Sequence, residues 1–239
     1  QTLKRYCMKL SYDNKEMALE EFRGIHTAAC DHAIMLCCAG NFASWLNTMK
    51  LPADLASDLQ NVYIPLVNLL RKEQYLKPDH IPVIGISGSQ GSGKSTFTSL
   101  LAGLLREAYH YQVVSFSIDD FYHTRATREE LSLSINPLLK TRGVPGTHDV
   151  GLALSVMENL RNAGPHSETL IPVFDKSVDD RKSREGWNSY KGRPDVILFE
   201  GWCVGAIPET SEKLSVPVNK LEDEHDPHAV FRTYVNDQL

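Results

Sequence analysis

Apolar and polar positions along the chain fall into two textures that change near residue 80. In the first part Leu55, Leu59, Val62, Leu66 and Leu70 recur at three- and four-residue spacing, which places them on one face of a helix. Pro65 interrupts that face. It predicts a kink or break, because it has no N–H and its ring crowds the preceding turn. Residues 15–47, from Lys15-Glu16-Met17 onward, also lean helical. Residues 1–80 therefore read as a helical appendage that carries no chemical motif.

From residue 81 short apolar runs alternate with amphipathic stretches. Ile81–Ile86 predicts a strand, and a glycine-rich turn then opens a helix at Lys94 whose buried face holds Phe97, Leu100, Leu101, Leu104 and Leu105. Gln112–Ile118 is the next strand, and Thr127-Arg128-Glu129-Glu130 has the form of a capping box. Asp149 is placed to cap a helix carrying Leu152, Ala153, Val156, Met157 and Leu160, with Gly164 at its end. Leu170–Phe174 and Val196–Phe199 are further strands. Residues 208–228, rich in proline and acid, predict a loop, and Phe231–Leu239 the start of a helix. The alternation predicts an α/β fold over residues 81–239, a mostly parallel sheet flanked by helices.

Bulk composition narrows the partners. The chain has 239 residues, 42% hydrophobic and 23% charged, which suits a soluble domain with an appendage. Twenty-five basic against thirty acidic residues leave a net charge of −5, against nucleic-acid binding by bulk charge. No apolar run approaches the length of a membrane span, and no signal peptide is visible. Cys7, Cys30, Cys37, Cys38 and Cys203 form no CxxC pair, as free thiols in a reducing cytosol would not. These features predict a cytoplasmic protein with neither a nucleic-acid nor a membrane partner, and leave its oligomeric state open.

The chemistry centres on Gly88-Ser89-Gln90-Gly91-Ser92-Gly93-Lys94-Ser95, which matches the phosphate-loop pattern G-x-x-x-x-G-K-[ST]. Glycines let the backbone turn tightly and aim N–H groups at phosphate oxygens. The helix that follows presents its positive end, with Thr96 in its first turn. Lys94 is placed to reach the β- and γ-phosphates of ATP, and the Ser95 hydroxyl to bind Mg2+. An apolar strand before the loop and an amphipathic helix after it supply the context this chemistry needs.

In open parallel sheets ligands bind beyond the carboxyl ends of the strands. Two predicted strands end in acids there. Val196-Ile197-Leu198-Phe199-Glu200 has the form of a Walker B element, with Glu200 as the acid near Mg2+. Ser117-Ile118-Asp119-Asp120 offers two carboxylates. Read as an extended segment, it points them to opposite sides, and Asp119 is favoured as the base for an attacking hydroxyl. Thr141-Arg142-Gly143-Val144-Pro145-Gly146-Thr147-His148-Asp149 is a punctuated loop in which Arg142 suits a small anion and His148 either contacts substrate or packs. Asp175, Lys176 and Arg181 follow another strand end as candidates for substrate contact, with Lys182 and Arg184 behind them. The alternation of acid and base through Asp180-Arg181-Lys182 does not make a nucleic-acid stripe.

Taken in order, GSQGSGKS, SIDDFY, TRGVPGTHD, FDKS and LFEGW resemble the P-loop small-molecule kinases related to uridine kinase, phosphoribulokinase and pantothenate kinase, and most closely the D-glycerate 3-kinase family. The resemblance runs from about residue 60 to the end of the chain. It implies transfer of the γ-phosphoryl group of ATP to the 3-hydroxyl of D-glycerate, with Lys94, Asp119 and Glu200 as catalytic residues. It also implies that Tyr122, Arg142, His148, Asp175, Lys176 and Arg181 face the acceptor, without choosing which cation meets the carboxylate. Family members continue past the segment that corresponds to Tyr234-Val235-Asn236. On that basis a further strand, a basic lid and part of the adenine pocket are expected beyond Leu239. Two other readings stay open: a kinase of the same fold for another acceptor, and a nucleotide-dependent regulator. For the latter, Asn219-Lys220-Leu221-Glu222 approaches a guanine-reading motif but carries Glu in place of Asp.

Overall fold

A computed structural model describes residues 8–12, 15–18, 40–72 and 81–239. In chain order the elements are β1 Met8–Tyr12, β2 Lys15–Ala18, α1 40–48, a 3-10 turn Ala53–Leu55, α2 Ala56–Asp58, a π-helical segment Leu59–Tyr63, and α3 Ile64–Lys72. Next come β3 Val83–Gly88, α4 Lys94–Tyr109, β4 Val113–Ser117, α5 Arg125–Ser134, α6 Val150–Arg161 and β5 Glu168–Ile171. The chain continues through β6 Phe174–Asp175, β7 Asp180–Arg181, β8 Asn188–Lys191, β9 Val196–Gly201, α7 Ser211–Leu214, α8 Lys220–His225 and α9 Val230–Asp237. These elements group into two units, and the boundary expected near residue 80 falls inside the first.

The first unit comprises Gln1–Ser117, Ala163–Pro165 and Gly192–Gly205. Its sheet has the order β2-β1-β3-β9-β4. β3 and β4 each pair with β9 in parallel, Val83 opposite Ile197 and Val113 opposite Val196. That parallel centre, flanked by helices, is the expected α/β architecture. Two antiparallel strands extend it, since β1 pairs with β2 and with β3. Lys15–Ala18 is thus a strand, where the sequence leaned towards a helix. Pairing along a sheet edge overrides weak local propensity.

The predicted helical faces pack as one core. Phe97, Leu100, Leu101, Leu104 and Leu105 of α4 are fully enclosed, together with Leu59, Val62, Leu66 and Leu70, Ile84 and Ile86 of β3, and Val196 and Leu198 of β9. Phe42, Tyr63 and Phe97 form a chain of ring contacts through it. Pro65 does not break its helix. The π-helical segment ends two residues before it. The shift to wider spacing absorbs the missing N–H, as single π-turns commonly do.

The second unit comprises Ile118–Asn162, His166–Lys191 and Ala206–Leu239. It holds two small antiparallel pairs, β5 with β8 and β6 with β7. Asp149 caps α6 as expected, its carboxylate accepting from the Leu152 amide at 3.0 Å, and Asn162 follows the last turn. The cap of α5 is Thr124 rather than Thr127: its hydroxyl accepts from the Thr127 amide. The stretch expected to be a loop from 208 to 228 contains α7 and α8. Asn219 accepts from the Glu222 amide at 3.0 Å, while the Glu222 carboxylate accepts from the Val218 amide. Among the described residues no helix is long and apolar enough to cross a membrane.

Candidate active site

In the first unit the phosphate loop connects β3 to α4. Gly91 and Gly93 have φ of 73° and 87°, left-handed values that L side chains rarely adopt, and among the described residues a Cβ on either would meet nothing within 4 Å. Glycine is needed there for the turn, and no described residue crowds either α-carbon. Phe97 is the first residue of the helix whose amide finds a backbone carbonyl, that of Gly93 at 2.8 Å. The amides of Lys94, Ser95 and Thr96 precede it and present the helix's positive end. Lys94 Nζ folds back to the Ser89 carbonyl at 2.8 Å, and the buried Ser92 hydroxyl has no hydrogen-bond partner among the described residues.

Ser95 and Glu200 lie 105 residues apart in sequence and meet here. The serine hydroxyl donates to Glu200 Oε1 at 2.8 Å. Parallel pairing of β3 with β9 causes this meeting, because both strands finish on the same side, Ile86 opposite Glu200. Glu200 is 8% exposed. A hydroxyl and a carboxylate side by side are hard oxygen donors of the kind Mg2+ takes, with water and phosphate completing its shell. The residues present therefore fit that ion, and Ser95 and Glu200 would hold it.

The second unit gathers the remaining candidates. Ile118–Phe121 is a 3-10 turn, not the extended segment expected, so the sequence argument that separates Asp119 from Asp120 does not apply. Asp119 Oδ2 accepts from Lys176 Nζ at 2.6 Å, with the lysine side chain 61% exposed and the aspartate 31%. Exposed pairs of this kind contribute about 0–1 kcal/mol. Tyr122 and His148 are buried, form an isolated antiparallel bridge, and stack with ring centroids 4.2 Å apart. His148 Nε2 has no hydrogen-bond partner among the described residues. Burial pushes the His148 imidazole down to about 4, the Asp119 charge opposing and His123 assisting. His148 is accordingly neutral near pH 7.

Arg142 does not stand free for a ligand. It pairs with Asp179 and lies over the Phe174 ring at 5.5 Å. Arg181 Nη1 donates to Asp149 Oδ2 at 3.0 Å, so the carboxylate that caps α6 also holds Arg181. Asp175 accepts from the Ser177 hydroxyl at 2.6 Å and from its amide at 2.9 Å; these bonds, the hydroxyl's first, hold its carboxyl below the usual range.

One residue that holds this unit together passed unrecognised in the sequence except as part of a supposed cap. Arg128 is 1% exposed. Its guanidinium donates to the carbonyls of His123 at 3.3 Å, Lys140 at 3.0 Å and Asp179 at 2.6 Å, and to Asp179 Oδ2 at 3.0 Å. Burial works against the Asp179 charge, but Arg128 and Arg142 outweigh it and hold the carboxyl low. One arginine thus ties together the segments that carry Tyr122, Arg142 and Lys176. Its partners lie up to 51 residues away, and backbone carbonyls leave no trace in sequence.

Comparison with known proteins adds relatives to this geometry. No protein-family model matches the chain. The uncharacterized kinase mug58 of Schizosaccharomyces pombe is 39% identical over 171 residues, 67% of this chain and 59% of that protein. The chloroplastic D-glycerate 3-kinase of Arabidopsis thaliana is 31% identical over 192 residues, 74% of this chain and 42% of that protein. Its homologues are kinases. The chain spans about half the length of these curated relatives. The solved structure of the YGR205w protein superposes with a TM-score of 0.55 at 28% identity, over 73% of this chain and 64% of that one.

Proposed function

We propose that this protein is an ATP-dependent kinase that transfers the γ-phosphoryl group to a small hydroxy acid, D-glycerate giving 3-phosphoglycerate. The observation that carries the reading is the Ser95–Glu200 contact beside the phosphate loop, in a chain whose homologues are kinases. A glycine loop ending in Lys-Ser, with an acid delivered by the adjacent parallel strand, is the arrangement that binds a nucleoside triphosphate.

In this reading the amides from Gly88 to Thr96 and Lys94 hold the phosphates. Ser95 and Glu200 hold Mg2+, which when bound neutralises charge on the phosphate oxygens. Asp119 accepts the proton of the acceptor hydroxyl. Tyr122 and His148 form an uncharged wall for the acceptor, and Asp175, Lys176, Arg142 and Arg181 set the charge around it. Catalysis then rests on positioning and on fixed charge. The acceptor is named on the D-glycerate 3-kinase relative and on the cations of the second unit. A small anion is the partner, and a reducing compartment such as the cytosol suits a sequence whose cysteines form no CxxC pair.

The test is a panel assay with ATP and Mg2+. ADP release is measured with D-glycerate, uridine, pantothenate and ribulose 5-phosphate. Release driven by D-glycerate well above the others supports the assignment. Release driven by another member reassigns the acceptor, and saturable nucleotide binding with no transfer to any of them removes the kinase reading.

A further inference from the structure

The second unit commits most of its acceptor-side cations to its own architecture. Arg128 is enclosed and fully engaged. Arg142 and Arg181 each neutralise a carboxylate that the fold uses, Asp179 in the β6–β7 turn and Asp149 at the start of α6. Drawing either arginine onto a substrate would strip a counter-ion from a partly buried acid, which is costly. Lys176 differs. Its side chain is mostly exposed and its bond to Asp119 crosses open surface. Such a pair exchanges partners readily.

The backbone that carries Lys176 is held by several bonds, while its ammonium is held by an exposed bond to Asp119. Asp175 accepts two bonds from Ser177, Arg125 donates to the Val178 carbonyl at 2.6 Å and its amide to Asp180 Oδ1 at 2.9 Å, and Arg128 grips Asp179. A long, flexible ammonium on a fixed pivot can swing between two anions without disturbing the turn.

We propose that Lys176 is a substrate-gated cover on Asp119. The proposal rests on the kinase reading above. Without an acceptor, the ammonium occupies Asp119 Oδ2. An acceptor that brings its own carboxylate draws the ammonium onto that group, and Asp119 is released as a base at the same moment. The acceptor hydroxyl then loses its proton to Asp119 as its oxygen forms a bond to the γ-phosphorus. The bond between that phosphorus and the bridging oxygen breaks, and the electron pair leaves with ADP. A neutral polyol leaves Lys176 where it is. Choice of an anionic acceptor and activation of the base become one event, and water, also neutral, is a poor acceptor for the same reason.

The experiment compares wild type, Lys176→Met and Lys176→Arg with D-glycerate and with glycerol, its neutral analogue, and measures ATP hydrolysis with no acceptor. In Lys176→Met the kcat/KM for D-glycerate is expected to fall roughly 10- to 100-fold, mostly through KM. Glycerol phosphorylation and acceptor-free hydrolysis are expected to rise several-fold, because the base is uncovered. Lys176→Arg keeps a cation and should retain the preference for D-glycerate. An equal fall for both acceptors, or an unchanged preference in Lys176→Met, overturns the gate and leaves the kinase reading standing. A wild-type chain that phosphorylates neither acceptor overturns both.

Discussion

Gly146 lies in the loop between Arg142 and His148, and its replacement by alanine gives the sharpest test of how that loop is held. Its φ is 89°, where an L residue is strained by about 1–2 kcal/mol. The added Cβ would also stand 2.5 Å from Tyr234 Cε1, 3.2 Å from Cδ1 and 3.1 Å from Gln238 Cγ. A contact that short forces the Tyr234 ring to shift, at about 1–3 kcal/mol for overpacking. Together these give about 3 kcal/mol, or a fall in Tm of roughly 6–12 °C for a chain of this size. Thermal and urea melts of Gly146→Ala measure it. Gly91→Ala is the control, since its φ is left-handed at 73° and its Cβ meets no described residue; it should cost about 1–2 kcal/mol, the backbone share alone. In a Tyr234→Ala background Gly146→Ala should cost little more than that share, with only the flexible Gln238 side chain left at 3.1 Å, the difference being the coupling of the pair. If Gly146→Ala costs as much with the ring removed as with it present, the contact between this loop and α9 does not constrain the loop and the reasoning fails.

Acid should weaken the protein through His148. Above pH 6.5 the imidazole is neutral in folded and unfolded chains alike. Below it the unfolded chain binds a proton that the folded one refuses until about pH 4, so stability falls across that window by about 3 kcal/mol. A His148→Gln variant should show a flatter stability profile between those values, read by urea melts across pH. Arg128→Met leaves Asp179 short of its buried partner and should cost about 3–5 kcal/mol, with Asp179→Asn in the same chain recovering part of the loss in urea midpoint. Asp119→Asn should lower turnover by about 10²–10⁴-fold while nucleotide affinity, followed by calorimetry, holds within about twofold; an unchanged rate removes Asp119 as the base.

What could be read in the sequence was what short spacing encodes. The phosphate loop needs eight neighbouring residues, the α4 face repeats every three or four, and Asp149 caps a helix that starts beside it; each stands in the structure where its spacing put it. Glu200 was legible because parallel strands end on one side, a rule that needs no knowledge of the connecting chain. Arg128 was not, because its role exists only once residues 123, 140 and 179 have converged on it. The same holds for the carboxylates that claim Arg142 and Arg181: a charge in sequence does not reveal its counter-ion. The β1–β2 pair depends on the edge of β3 and not on its own composition. The helix α8 did carry a local signal, Asn219 followed by Glu222 in the order of a capping box, hidden by the prolines on either side.

The order of the central strands bears on how the protein comes into being. β9 lies between β3 and β4, yet it is synthesised after both, with about eighty residues intervening. At ribosomal rates that interval is on the order of ten seconds. Through it the facing edges of β3 and β4 wait with Ile84, Ile86, Val114 and Phe116 unsupported by the strand that will join them. Contacts so distant along the chain also make folding slow once synthesis is complete. The hazard for this chain therefore lies in those nascent seconds more than in its finished state. Chaperone supply and a low growth temperature should govern its yield, through the strand on which the parallel half of the sheet must wait.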